Sequence, residues 1–132
     1  MTSYVSHTTI DCADAFTLSR WWQSVLDYRE DADDPNEPGH EECLIMSADG
    51  RHRLLFIEVP DVKQVKNRIH LDLRPAEGTR DEELGRLTEH GATVVSDLRK
   101  PDGTGWVVLA DPEGNEFCIL RSEAEVAASR RP

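Results

Sequence analysis

Residues 105–120 read GWVVLADPEGNEFCIL, and the reading of this stretch decides the fold. Trp106, Val108 and Ala110 alternate with Val107 and Leu109, the two-residue period of a strand enriched in β-branched side chains. Asp111-Pro112-Glu113-Gly114-Asn115 then carries turn chemistry: proline fixes φ, glycine admits positive φ, and the Asx side chains bond their own backbone. The second strand sets Glu116, Cys118 and Leu120 on one face and Phe117, Ile119 and Arg121 on the other. The polar pair Glu116 and Cys118, inside so apolar a hairpin, marks a candidate site.

Working back from the hairpin, a Pro101-Asp102-Gly103 turn follows a predicted strand over 92–98. Gly91 suits the residue just past a helix end. Thr79 and Glu82 have the spacing of a capping box, and Leu84 and Leu87 supply the buried side of the helix it opens. Residues 65–74 are predicted as a strand with Ile69, Leu71 and Leu73 on one face and His70, Asp72 and Arg74 on the other. Residues 60–65 read as a linker. On the far side of the hairpin, 122–128 suit a short terminal helix, and Arg130-Arg131-Pro132 is expected to fray.

The same succession precedes the linker. Residues 4–12 read as a strand with Val5, His7, Thr9 and Asp11 on one face, and Asp14 suits the cap of a helix over 15–28. Leu18, Trp22, Val25 and Leu26 form its apolar stripe, which Trp21 widens. Adjacent tryptophans more often pack a helix onto a sheet than form a ligand platform. Residues 43–48 and 52–59 flank Asp49-Gly50, a strong hairpin signal. Leu54, Phe56 and Glu58 share a face, and Glu58 is either a strand-end surface residue or part of a cleft. Between helix and hairpin, residues 30–42 hold seven carboxylates without the D-x-D-x-D-G spacing of a calcium loop. A solvated loop is expected there, with His40 at its surface. The order β-α-β-β-β therefore occurs twice, with His7 and His70 at equivalent points 63 residues apart.

Composition narrows the function. A chain of 132 residues fits one domain, and 38% hydrophobic with 31% charged residues is a globular mixture. A net charge of −11 with no clustered basic run argues against nucleic acid and anionic membrane surfaces. No run approaches membrane-spanning length, and the N-terminal MTSYVSHTTID lacks a signal peptide's apolar core, so a cytoplasmic protein is expected. Cys12, Cys43 and Cys118 are odd in number and lack C-x-x-C spacing, which points to neither a disulfide framework nor a zinc knuckle.

The doubled layout resembles the vicinal oxygen chelate superfamily, the fold of glyoxalase I, extradiol dioxygenases and bleomycin-resistance proteins, and in detail its glyoxalase-like domain proteins. The matching stretches are His7-Thr8-Thr9-Ile10 running to Asp14, Asn67-Arg68-Ile69-His70-Leu71-Asp72-Leu73, and Ala110-Asp111-Pro112-Glu113-Gly114-Asn115-Glu116-Phe117. The resemblance implies an α+β fold forming a single domain over 1–132. Its two β-α-β-β-β modules, residues 4–60 and 65–121, would make a U-shaped, cleft-containing mixed sheet with helices outside and a tail from 122. It also implies four recurrent metal-ligand positions, which fall on His7, Glu58, His70 and Cys118. The last departs from the usual glutamate.

Two histidines, a glutamate and a thiolate suit zinc, whereas magnesium and manganese favour oxygen donors. Alternatively, Cys118 is a small apolar residue of a buried strand and His70 hydrogen-bonds across the cleft. Two functions follow from the resemblance. One is a lyase or isomerase with a divalent metal, zinc favoured, and Glu58 and His70 as catalytic groups. The other is a metal-free ligand-binding or drug-sequestering protein of the bleomycin-resistance kind. A third reading makes His7, Glu58 and His70 the proton-transfer groups of a metal-free enzyme. Candidate substrate contacts are His7, Phe56, Trp106 and Glu116, the partner is a small molecule, and the family's habit implies a homodimer.

Overall fold

A computed structural model describes residues 2–130, so Arg131 and Pro132 of the expected frayed end lie outside the described residues. The chain forms two compact units, the first ending at Val62 and the second beginning at Lys63. In the first unit, β1 (Thr8–Cys12) leads to α1 (Ala15–Leu26) and then to β2 (Glu42–Met46) and β3 (Arg53–Glu58). The sheet order is β1-β3-β2, with β1 parallel and β2 antiparallel to β3. Asp14 caps α1 by accepting the Thr17 N–H at 3.1 Å, and Asp27 ends it in the left-handed region at φ 54°. That residue stops the helix before Tyr28, short of the expected end.

Trp22, Leu18, Ile45, Leu54 and Phe56 form the buried core beneath α1, while Leu26 is only half-buried. β1 begins at Thr8, not Tyr4, because its partner's first paired residue is Leu54 opposite Thr8. Without a partner in its unit, the chain before Thr8 has no ladder to join. The acidic segment is exposed at Asp33, Asp34 and Glu37, yet it is tied back by a backbone bridge from Arg29 to Met46 and by the Asn36 amide donating to the Leu44 carbonyl at 2.9 Å.

The second unit runs β4 (Leu71–Leu73), α2 (Arg80–Glu89), β5 (Thr93–Asp97), β6 (Val107–Ala110), β7 (Glu116–Ile119) and α3 (Glu123–Ser129). Its order is β4-β7-β6-β5, again with the first strand parallel to the last. The Thr79–Glu82 capping box opens α2, and Gly91 follows it at φ 109°. Leu87 is buried and Leu84 half-buried. Asp111 organises the turn of the closing hairpin: its Oδ1 accepts the N–H groups of Glu113 at 2.9 Å and Asn115 at 3.0 Å. β4 is three residues long, far shorter than the predicted 65–74. Its partner β7 has only four residues, and the chain before it is drawn aside when the Asn67 N–H bonds the Glu116 carboxylate at 3.1 Å.

The fold is thus α+β, with two mixed sheets and three helices among the described residues. The two units share a strand order, β1-β3-β2 matching β4-β7-β6. The Arg29–Met46 bridge stands where the second unit has β5. The first module's extra strand is reduced to that single bridge. Among the described residues, no helix is long and apolar enough to cross a membrane.

Candidate metal centre

The parallel register of β4 and β7 puts Asp72 opposite Cys118. His70 precedes Asp72 by two residues, and the alternation of an extended chain brings both side chains to one side. Asp72 Oδ1 lies 3.2 Å from His70 Nε2. One ligand atom from each of His70, Asp72 and Cys118 lies within 4.8 Å of the others. The imidazole and carboxylate are exposed, whereas Cys118 is 4% exposed, so a thiol forms the floor and the imidazole and carboxylate form the rim. Burial pushes the Cys118 thiol up to about 11, assisted by the Asp72 charge and a hydrogen bond to Asp72, while Lys66 pulls it the other way. A nitrogen, an oxygen and a sulfur donor on one small patch fit a borderline-soft divalent cation and leave coordination positions for a substrate.

His7 and Glu58 belong to the first unit. His7 is exposed ahead of β1, its Nδ1 3.0 Å from Ser6 Oγ. Glu58 closes β3 opposite Cys12, while the His7 end of β1 lies by Leu54. About five residues of strand, roughly 16 Å, separate those two levels, so His7 and Glu58 do not meet. The Glu58 carboxylate instead accepts the Ala15 N–H at 3.1 Å, at the positive end of α1.

Thr9 faces Leu55 as Asp72 faces Cys118, so Leu55 is the first unit's counterpart of Cys118. Phe56 is 0% exposed and belongs to the core beneath α1 rather than to a ligand-facing surface. Trp106 is 42% exposed just before β6. Glu116 shares the face of Cys118, but its Oε2 is held by Lys63 Nζ at 2.9 Å and by the Asn67 N–H. Within the second unit, the structure brings the predicted ligands His70 and Cys118 together and adds Asp72. Asp72 was legible as a carboxylate two residues from His70 on the same strand face.

Residues 7–120 match the family described as Glyoxalase-like domain. The chain belongs to that family. This glyoxalase-like protein accordingly has the fold of the vicinal oxygen chelate superfamily, and solved structures agree at the level of fold. One is a variant of the fosfomycin resistance protein FosX from Listeria monocytogenes, complexed with Mn(II) and 1S,2S-dihydroxypropylphosphonic acid. It is 19% identical, with 98% of each chain covered and a TM-score of 0.68. A second is FosX from Mesorhizobium loti, 16% identical over 98% of this chain and 100% of its own, TM-score 0.64. A third, a glyoxalase/bleomycin resistance protein/dioxygenase family enzyme from Burkholderia phytofirmans PsJN, is 18% identical over 89% of this chain and 97% of its own, TM-score 0.67. No curated protein matches the sequence.

Proposed function

We propose that this glyoxalase-like protein is a lyase or isomerase acting on a small oxygenated substrate, with a divalent cation held by His70, Asp72 and Cys118. The observation that carries this reading is the approach of three unlike donors within 4.8 Å. A bound divalent cation supplies Lewis-acid polarisation of a substrate oxygen. The protein's part is to present donors already aligned: Asp72 orients the His70 ring, and β7 fixes the sulfur from below. Zinc suits this set better than the Mn(II) of the FosX complex, because a thiol is a poor donor to harder ions. Cys118 must give its proton to solvent to become a ligand, so cation uptake should release protons. Glu58 is assigned to the start of α1 rather than to proton transfer. Trp106 is the proposed substrate contact, Glu116 serves to hold the chain before β4, and a homodimer is the proposed assembly, checked by sedimentation.

A metal-free binding protein is the second reading, favoured by the hydrogen bond of the Cys118 thiol to Asp72 and the His70–Asp72 contact, which satisfy the cluster without an ion. Elemental analysis and zinc titration of untagged wild type, His70→Ala and Cys118→Ala separate the two. Stoichiometric zinc that is lost in both variants supports the metal reading. Wild type that stays metal-free after zinc loading overturns it and leaves the binding protein.

A further inference from the structure

The stretch leading into β4 differs from the rest of this acidic chain. Residues 63–70, KQVKNRIH, carry Lys63, Lys66 and Arg68 and no carboxylate, although the whole protein has a net charge of −11. The stretch is strapped to β7. Lys63 Nζ pairs with Glu116 at 2.9 Å, and Asn67 donates its backbone N–H to the Glu116 carboxylate at 3.1 Å and its side-chain amide to the Glu116 carbonyl at 3.3 Å. Those anchors lie two residues from Cys118 on the same strand, and they bracket Lys66. Lys63 is thereby spent on Glu116, whereas Lys66 and Arg68 are exposed and form no ion pair among the described residues. Lys66 adjoins Asn67, whose two bonds to Glu116 hold this part of the stretch against β7 two residues from Cys118.

We propose that the His70–Asp72–Cys118 site takes an anionic substrate, with Lys66 as the side chain that binds the anion's charge. The argument is one of local charge. A thiolate and a carboxylate together cancel a divalent cation, so the ligand set alone leaves a neutral site. Lys66 adds an unpaired positive charge at its rim. An oxyanion brought there gains a charge-assisted contact that a neutral or cationic molecule does not. The bulk negative charge works against this only at a distance, because physiological salt screens beyond about 8 Å while leaving contact pairs largely intact. Lys66 is a positioning residue for substrate, and it is not a metal ligand.

This inference rests on the metal reading, and the test separates the two. Zinc affinity and methylphosphonate affinity are measured by calorimetry on wild type, Lys66→Ala and Lys66→Arg, with acetate as a second anion and tetramethylammonium as a cationic control. The expected result is methylphosphonate and acetate binding to zinc-loaded wild type. It should weaken about tenfold in Lys66→Ala, recover in Lys66→Arg and fall with added salt. Zinc affinity should be unchanged or higher in Lys66→Ala, since a positive charge has been removed beside a cation. A merely structural lysine would lower both affinities together, and that result overturns the proposal. Zinc binding with no anion binding, or with preference for tetramethylammonium, overturns the anionic substrate while sparing the metal. Failure of wild type to bind zinc overturns both.

Discussion

The two units repeat one strand order but not one chemistry. His7 stands before β1 as His70 stands before β4, and in both units the first strand runs parallel to the last. Two positions further along, the first unit has Thr9 where the second has Asp72. Across the ladder it has Leu55 where the second has Cys118. One histidine alone holds no cation, whereas a histidine beside a carboxylate and a thiol offers three donors. On the proposed metal reading, the scaffold supplies the place and two side chains decide whether it holds a cation. The first unit spends its packing differently: α1 covers Leu54 and Phe56, and Glu58 serves the start of that helix.

That contrast predicts where damage is structural. Trp22→Ala should cost about 3–5 kcal/mol in urea unfolding, because the ring is 2% exposed beneath α1 and its loss leaves a cavity. A cost below about 0.5 kcal/mol, the level of a surface change, would mean that the first unit does not depend on this helix. In the second unit the sensitive point is backbone. Gly105 sits at φ 89°, and an added Cβ would meet the Leu98 carbonyl oxygen at 2.1 Å. Gly105→Ala should cost at least about 1–3 kcal/mol, since strained φ and a backbone clash act together. It should also disturb Arg80, which is buried and donates to the carbonyls of Gly103, Thr104 and Gly105. A neutral Gly105→Ala would show that the loop yields more easily than its contacts imply.

The comparison can be sharpened by making the units alike. Thr9→Asp with Leu55→Cys places beside His7 the partners that His70 has. Zinc bound per chain, measured by elemental analysis after loading and dialysis, should rise from about one equivalent to about two. The reverse pair, Asp72→Thr with Cys118→Leu, should remove zinc while leaving the strand order intact by circular dichroism. If the first pair adds no zinc, the matching of registers does not carry the site, and something beyond three donors is needed.

Much of the scaffold is legible in the sequence. The hairpin around Asp111–Asn115, the Thr79–Glu82 capping box and the Asp49-Gly50 turn are local signals, and local hydrogen bonding determines them. Strand lengths were not legible in the same way. Tyr4 and Val5 have strand-like alternation, but β1 ends where β3 ceases to pair, and partner length is a tertiary fact. The ladder position of Glu58 was not legible for a related reason. A position across a ladder depends on register, and a shift of a few residues moves a side chain along the sheet by several ångströms. Asp72 was visible on the face of His70, yet only the pairing with β7 shows that Cys118 lies opposite.

The smallest expected effects set paired charges of the second unit against solvated charges of the first. Arg99 holds the Asp97 carboxyl down at about 2, through its side-chain hydrogen bond and then its backbone N–H, against an ordinary value of 3.8. A carboxyl with a depressed folded value stabilises fully above its unfolded value, and that contribution disappears as pH falls from about 4 to about 2. Asp97→Asn should therefore flatten the loss of stability in that window by the same amount that it costs at neutral pH, an amount kept small because the pair is exposed. An unchanged acid limb would mean the pair is not formed in solution. Neutralising Asp31, Asp33 and Asp34 together to Asn should change stability at pH 7 by less than about 0.5 kcal/mol. Asp33 and Asp34 are exposed, the Asp33 N–H reaches the Asp31 side chain through an oxygen that Asn retains, and salt screens the remaining repulsion. A large loss, or disappearance of a calcium-dependent rise in melting temperature, would show that the acidic segment holds a cation. The first unit would then have a chemistry of its own, away from the positions that match the second.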